Sequence, residues 1–380
     1  MIYIVVIFIV AYLIAMTVVI LGMLRLSIYH GEKGEAQTKF SVIIPFRNEA
    51  ERLPELLNSI KKLNYPSHLY EVIFVDDASE DESISIITNA LQKEKNTNSP
   101  TFKVIPNLRL SRSPKKDAIT EAISHSENNW IITTDADCIL PDTWLAAFDA
   151  YIKKNEPVLV AAPVSYKSNR SFVEQFQKLD GLSLQMVTMA SFGLEAPLLS
   201  NGANLAYKKE AFLKVKGFSE NNHIASGDDI FILEKIQASF PGKAKFLKSR
   251  DAIVDTFPEK DWTSAIRQRI RWASKTSKQN NRASKALGGL VFFANLMAII
   301  GAFLYLFNSQ VLSIYLPAFL LKVLVDFIVL KVGSQFFKTK IDTITFWGSL
   351  IIYPFIILRV VLGSLKGNYN WKGRKFGKQR

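Results

Sequence analysis

Apolar and polar positions divide this chain into blocks of two kinds. Residues 1–24, MIYIVVIFIVAYLIAMTVVILGML, carry no charge. At a rise of about 1.5 Å per residue such a run spans a hydrocarbon core of about 30 Å. No basic segment precedes it and no small-residue cleavage site ends it, so an anchor is expected rather than a cleaved signal peptide. Two more apolar blocks follow late in the sequence, 286–330, broken at NSQ (308–310), and 344–365. The pattern predicts an N-terminal transmembrane helix (1–26), a soluble domain (38–257), an interfacial amphipathic helix (258–284), a C-terminal transmembrane region (285–365) and a basic tail (366–380).

Within the soluble part, short apolar runs alternate with amphipathic stretches, which is the pattern of a largely parallel α/β sheet. FSVIIP (40–45), YEVIFVDD (70–77), FKVIP (102–106) and WIITTDAD (130–137) read as strands. Helices are predicted between them from Leu53, Leu56, Leu57 and Ile60, from Ile84, Ile87 and Leu91, and over 114–123. Ser79 and Glu82 have capping-box spacing before the second of these, and Asp142 can cap a helix carrying Trp144, Leu145, Phe148, Tyr151 and Ile152.

Charge adds a location. Arg25, Lys33 and Lys39 flank the first apolar run, and Arg267, Arg269, Arg271, Lys275, Lys278, Arg282 and Lys285 precede the second. Basic residues beside spans predict a multi-pass protein of the cell membrane with its soluble domain in the cytosol. The formal net charge of +13 then reads as attraction to lipid headgroups and phosphorylated substrates rather than to nucleic acid. The single Cys138 excludes an intrachain disulfide framework. Three late crossings would place the basic tail outside, so the Pro354-containing block 344–365 is expected to form two bent half-spans or an interfacial segment.

Two predicted strands end in acids, Asp76–Asp77 and Asp135–Asp137. In open α/β sheets ligands bind beyond the carboxyl ends of strands, so both pairs can share one crevice. Carboxylates one residue apart suit a hard cation, Mg2+ or Mn2+, that keeps waters and bridges to substrate phosphates. A solvated turn in which Asp135 caps the next helix is the plainer alternative. No G-x-G-x-x-G or G-x-x-x-x-G-K segment is present, which disfavours dinucleotide and P-loop enzymes, and the four histidines lack zinc spacing.

SVIIPFRNEAERL (41–53), VDDASED (75–81), TTDADC (133–138), SGDDIFIL (226–233) and QRIRW (268–272) together resemble a membrane-bound family 2 glycosyltransferase of GT-A fold. The likeness runs from about Phe40 to Trp272, and WKGRKF (371–376) resembles a segment of its membrane members. The resemblance implies a Rossmann-like, mostly parallel sheet with flanking helices, and an inverting transfer of sugar from a nucleotide-sugar donor, a UDP-sugar by expectation. Asp77 would accept a hydrogen bond from the base, with Pro45 and Glu49 lining that pocket and Asp76, Lys116 and Asp135 on the donor side. Asp135 and Asp137 would hold the metal, and Asp229, beside Asp228, would be the general base. A helix beginning at these two acids would also keep them ionised, although Asp228 as a plain helix cap fits equally well.

Gln268, Arg271 and Trp272 stand at i, i+3 and i+4, one helix face able to offer phosphate contacts and a flat surface to a sugar. An interfacial helix with snorkelling arginines fits the same residues. Asn201 and Gly202, in SNGANLAYKKEAF, have the small size that lets backbone approach a ligand, and the resemblance puts them on the acceptor side. Residues 181–200 carry one charge, Glu195, and either pack into a core or line a membrane-facing groove. Lys322 and Asp326 can pair within a span. The acceptor expected is a membrane lipid, with a processive polysaccharide synthase as the alternative and a non-catalytic membrane scaffold as the reading from another class. A nucleotidyltransferase is disfavoured because PFRNEAERL holds no glycine.

Overall fold

The computed structural model describes residues 2–31, 34–92, 99–167, 171–276, 278–307, 312–365, 369–371 and 374–376. In chain order the elements are α1 (Ile2–Arg25), β1 (Phe40–Phe46), α2 (Leu53–Lys61), β2 (Tyr70–Asp76), α3 (Ser83–Gln92), β3 (Thr101–Pro106), α4 (Pro114–His125), β4 (Trp130–Thr133), α5 (Trp144–Asn155), β5 (Leu159–Ala161) and β6 (Val164–Tyr166). There follow α6 (Phe172–Gly193), β7 (Leu205–Lys208), α7 (Lys209–Lys214), α8 (Asp228–Ser239), β8 (Ala244–Phe246), β9 (Val254–Thr256), α9 (Trp262–Thr276), α10 (Arg282–Phe307), α11 (Leu312–Phe337), α12 (Thr343–Leu365), β10 (Tyr369–Trp371) and β11 (Arg374–Phe376). They form two compact units, one of Ser27–Lys167 with Leu199–Phe257, the other of Met1–Leu26, Ser168–Leu198 and Pro258–Arg380.

The first unit is built on a seven-stranded sheet of order β3-β2-β1-β4-β7-β5-β8. β1 pairs in parallel with β2 and β4, as does β2 with β3 and β5 with β8, while β7 runs antiparallel to β4 and β5. Central parallel strands are covered on both faces, which is why FSVIIPF and YEVIFV are continuous apolar runs. Phe40, Val42, Ile44, Val72 and Phe74 are fully buried, each contributing about 1.5–3 kcal/mol of burial. Polar residues inside this layer are paired. Ser41 Oγ donates to Glu71 Oε1 at 2.6 Å, Glu127 N donates to the same oxygen at 2.6 Å, and Lys103 Nζ lies 2.9 Å from Glu71 Oε2. Crossovers leave β1 towards β2 and return to β4 on its other side, so the strand order reverses between β1 and β4. In open α/β sheets such a switch point, beyond the carboxyl ends of the strands, is where the ligand crevice lies.

Local details differ from the sequence reading. β4 stops at Thr133, four residues short of Asp137: Thr134 N makes the last bond to β1, at Ile43 O, and the chain then turns, with Cys138 N donating to Asp135 O. Ahead of α3 it is Asp81, not Ser79, that accepts from the Ser83 amide, while Ser79 Oγ accepts from Asn48 N. Thr143 rather than Asp142 precedes α5, with no side-chain cap.

In the second unit, four helices, α1, α10, α11 and α12, are long and apolar enough to cross a membrane. α12 is one continuous helix through Pro354 rather than two half-spans. α6 packs among α1, α11 and α12, so the apolar stretch before residue 200 is core, with long apolar helices as its neighbours. At the α1–α6 crossing a Cβ on Gly193 would collide with Gly22 O, the close approach that small residues permit between apolar helices. Lys322 and Asp326 do pair, at 2.8 Å, and Tyr12 donates to the same carboxylate at 2.6 Å. β10 and β11 form an antiparallel pair. Residues 372–373 of WKGRKF, the NSQ break, Lys33 and most of the remaining tail lie outside the described residues.

Candidate active site

The crevice beyond β1, β2 and β4 is lined by acids held in different ways. Asp76 closes a turn, its Oδ1 accepting from Ser79 N at 3.0 Å. Asp77 is buried, and its Oδ1 accepts from Asn107 Nδ2 at 2.9 Å and Arg109 Nε at 2.6 Å. Arg47 and Arg109 each donate to the Asp77 carbonyl at 2.8 Å, and Arg47 also reaches Ala78 O and the Glu80 carboxylate. Pro45 lies in β1 opposite Val75, and the loop that follows, carrying Glu49, is tied to the segment after β2 by Glu49 N to Ser83 Oγ (2.8 Å), Ala50 N to Asp81 Oδ2 (3.0 Å) and Glu80 N to Asn48 Oδ1 (2.8 Å). Asn48 and Ala78 pay for this knit with positive φ, 51° and 54°.

Beside this pocket Lys115, in the first turn of α4, sits between two carboxylates. Its Nζ lies 2.6 Å from Asp135 Oδ1 and 3.2 Å from Asp228 Oδ2. Burial alone would lower its basicity, but Asp135 and Asp228 outweigh it and hold the ammonium well above the usual lysine range. Asp228 and Asp229 open α8, as the sequence pattern predicts, and both are buried. Asp229 Oδ1 accepts from Ile230 N at 2.8 Å. Gly202 lies against this pair. A Cβ there would stand 2.5 Å from Asp228 Oδ2 and 3.3 Å from Lys115 Nζ, so a larger residue would push into the crevice. Asn201 Oδ1 instead turns back to Ala203 N. Tyr207, on β7, is buried with a hydroxyl that finds no hydrogen-bond partner among the described residues. Burial, then Asp228, raises its pKa.

The remaining expected residues fall elsewhere. Lys116 turns away from the acids and is buried, donating to Asn221 O (2.8 Å) and Ile224 O (3.0 Å) with its ammonium 4.5 Å from the Phe231 ring centroid. It packs the floor, and Lys115 takes the position facing the crevice. Gln268, Arg271 and Trp272 lie on α9, in the helical unit. Gln268 Nε2 donates to Glu259 Oε1 at 3.1 Å, and the Trp272 ring is covered by the Arg269 guanidinium at 4.4 Å. Arg269 in turn pairs with Asp180. The flat surface expected of Trp272 therefore carries a cation on one side. Cys138 is buried, and burial reinforced by Asp137 and Asp135 pushes its thiol up, so it is not a nucleophile.

Sequence reasoning missed Lys115, Arg109 and Arg47. For the lysine a signal existed: Lys116 stands at i, i+3 and i+7 with Ile119 and Ile123, the buried stripe of α4. Its neighbour is thereby turned outward. The donor set also fits the expected metal. Asp135 and Asp137 offer hard oxygens, and a lysine ammonium already stands 2.6 Å from one of them. Among the described residues no three His, Cys, Asp or Glu side chains are gathered as ligands, so Mg2+ or Mn2+ would complete its shell with substrate phosphate and water.

A doubly covered parallel sheet with acids at its switch point defines a nucleotide-binding α/β class, and comparison with known proteins narrows it. The pattern described as "Glycosyl transferase family group 2" matches residues 130–330, and "Glycosyl transferase family 2" matches 41–213. The chain belongs to glycosyltransferase family 2. Over 109 residues it is 36% identical to undecaprenyl-phosphate 4-deoxy-4-formamido-L-arabinose transferase of Enterobacter sp. (strain 638), covering 28% of this chain and 31% of that protein. Over 117 residues it is 32% identical to poly(ribitol-phosphate) β-N-acetylglucosaminyltransferase TarS of Staphylococcus aureus (strain Mu50), covering 31% of this chain and 19% of that one. The matches thus span less than a third of either relative's length. The mannosyltransferase PcManGT from Pyrobaculum calidifontis, solved with GDP-Man and Mn2+, shares the fold, with a TM-score of 0.57, 18% identity and coverage of 96% of this chain and 98% of that one.

Proposed function

We propose that this protein transfers a glycosyl group, with inversion, from a nucleoside diphosphate sugar to an acceptor in the membrane, a lipid in preference to a growing polymer. The observation that carries the reading is the acidic crevice at the β1–β4 switch point, where Asp135 after β4 and Asp228 at the start of α8 meet across Lys115. Three segments distant in sequence supply it, and a sheet has no structural need for four acids there.

In this reading Asp77, steadied by Arg109 and Asn107, accepts a hydrogen bond from the nucleotide base. Asp135 and Asp137 hold Mg2+ or Mn2+, which when bound would offset charge on the departing diphosphate. Asp229 takes the proton from the acceptor hydroxyl as that oxygen attacks the anomeric carbon opposite the diphosphate. Gly202 keeps the approach to Asp228 and Lys115 open.

The relatives favour the donor class and an acceptor that is a lipid or a polymer. One is named for transfer to undecaprenyl-phosphate and another for transfer to poly(ribitol-phosphate), and PcManGT was solved with GDP-Man. Four helices able to span a bilayer suit a lipid acceptor and a domain held at the membrane surface, and the basic residues flanking those helices favour its cytosolic side. The whole chain in nanodiscs, incubated with radiolabelled nucleotide sugars and membrane lipids, tests this. Label in a chloroform-extractable lipid supports the proposal. Label in long polymer replaces it with a processive synthase, and no transfer from any donor overturns it.

A further inference from the structure

We propose that Lys115 is the built-in counter-cation of the acidic crevice, and that a divalent cation reaches Asp135 by displacing its ammonium. The inference rests on the glycosyltransferase reading for the identity of the cation site, but concerns what occupies that site before substrate arrives.

The Lys115 side chain is 22% exposed, that of Asp228 11% and that of Asp135 36%, so the ammonium is shielded on its Asp228 side while the Asp135 carboxylate opens to solvent, where an incoming cation can reach it. Lys115 Nζ lies 2.6 Å from Asp135 and 3.2 Å from Asp228, joining two segments distant in sequence. Gly202 leaves the space that the pair fills. Remove the ammonium and Asp135, Asp137, Asp228 and Asp229 are left to repel one another. With it in place the crevice is assembled and partly neutral before any metal binds.

A consequence for binding order follows from charge. A divalent ion on Asp135 would stand a few ångströms from the ammonium, and like charges at that range disfavour each other strongly. The bare ion is therefore held weakly. The diphosphate of the donor brings negative charge that both cations can share, so metal and nucleotide bind with positive coupling. Lys115 keeps its contact with Asp228 throughout, leaving Asp229 beside a neutralised neighbour.

The test is a titration of Mn2+ into the full chain in nanodiscs without nucleotide, with free Mn2+ read by electron paramagnetic resonance. Lys115→Met is expected to bind Mn2+ about ten-fold or more tightly than the unaltered protein, because it removes a positive charge within Coulomb range of the site. Lys115→Arg, which keeps that charge, should stay at the unaltered affinity. Equal or weaker binding by Lys115→Met overturns the proposal. In the unaltered protein, acetylation of Lys115 by acetic anhydride, read by mass spectrometry, should speed up at saturating Mn2+ without nucleotide, when the ion holds Asp135 in place of the ammonium. An unchanged rate also overturns it, and this arm does not depend on the variant folding. Asp135→Asn separates the two levels. If Mn2+ still strengthens nucleotide binding in that variant, the glycosyltransferase site assignment fails. If it does not, but Lys115→Met matches the unaltered protein, only the role of the lysine fails.

Discussion

Two lysines in this protein each hold a carboxylate, and their settings differ in an instructive way. Lys322 pairs with Asp326 one turn along α11, and Tyr12 of α1 completes the cluster. The partners found among the described residues all come from the helical unit, and the side chains are 6% and 18% exposed. Lys115 bridges residues at the end of β4 and the start of α8, with Asp135 36% exposed at the open edge of a sheet. The first arrangement closes on itself and makes an apolar bundle specific. The second gathers charge that exceeds its own needs and faces the side where a ligand enters. Buried charge alone does not mark function; charge from distant segments, converging at a switch point, does.

That contrast breaks most sharply at Asp229. Asp229→Asn is expected to lower transfer by about 10^2–10^4-fold while leaving the melting temperature in place, measured with labelled donor on protein of verified fold. A variant that keeps its full rate would reduce the crevice to one more structural cluster. The helical cluster should behave in the opposite way. Lys322→Met leaves Asp326 buried without its cation and is expected to cost about 3–5 kcal/mol in denaturant titrations, with transfer per folded molecule unchanged. Adding Asp326→Leu should recover much of that loss, since an apolar pair of similar volume replaces an ion pair well. Unchanged stability in the single variant would show that the pair is idle.

Lys116 sharpens the same comparison within one turn of α4. Lys116→Met removes the donor to two buried carbonyls, Asn221 O and Ile224 O, and is expected to cost about 1–3 kcal/mol without altering Mn2+ affinity. If it shifts Mn2+ binding as Lys115→Met should, the division of labour between the two lysines is wrong.

The sequence reading reached the strands and the acids for physical reasons, and failed for others. β1 and β2 begin at Phe40 and Tyr70 as expected, because strands covered on both faces must be continuous apolar runs. Asp77 and Asp135 were legible because acids at the ends of such runs have no packing role, whereas Asp228 was reached through the resemblance carried by SGDDIFIL. Which of two adjacent lysines meets them depends on the rotation of α4 about its axis, about 100° per residue, and that is set by Ile119 and Ile123 against the sheet. Arg47 and Arg109 sit in loops with no periodicity, so their convergence on Asp77 needed three dimensions. β4 was drawn too long because Thr134 continues an acceptable strand composition and only the bond from Cys138 N to Asp135 O shows the turn. The burial of α6 among long apolar helices was hidden in the same way: its composition showed that it was covered, not by what.

Glu71 offers a third cluster, closed like that of Lys322 but made within the sheet, and it separates closed from open charge by pH. Burial pushes its pKa up, yet the Ser41 hydroxyl, the Glu127 amide and Lys103 together hold it below the ordinary value of 4.5. A carboxyl with a depressed folded pKa stabilises the fold fully above its unfolded value, and that contribution fades as pH falls through the folded value. Glu71→Gln should therefore be less stable than the unaltered protein at neutral pH, by about 1–2 kcal/mol for bonds to a charged acceptor. The gap should narrow as pH drops below 4.5, because the unaltered protein loses what the variant never had. Denaturant midpoints measured from neutral pH down to about pH 3 would show two curves converging. Curves that stay parallel would mean that Glu71 keeps no proton-linked advantage in the folded sheet, and that Lys103, itself partly exposed, is too well solvated to hold it.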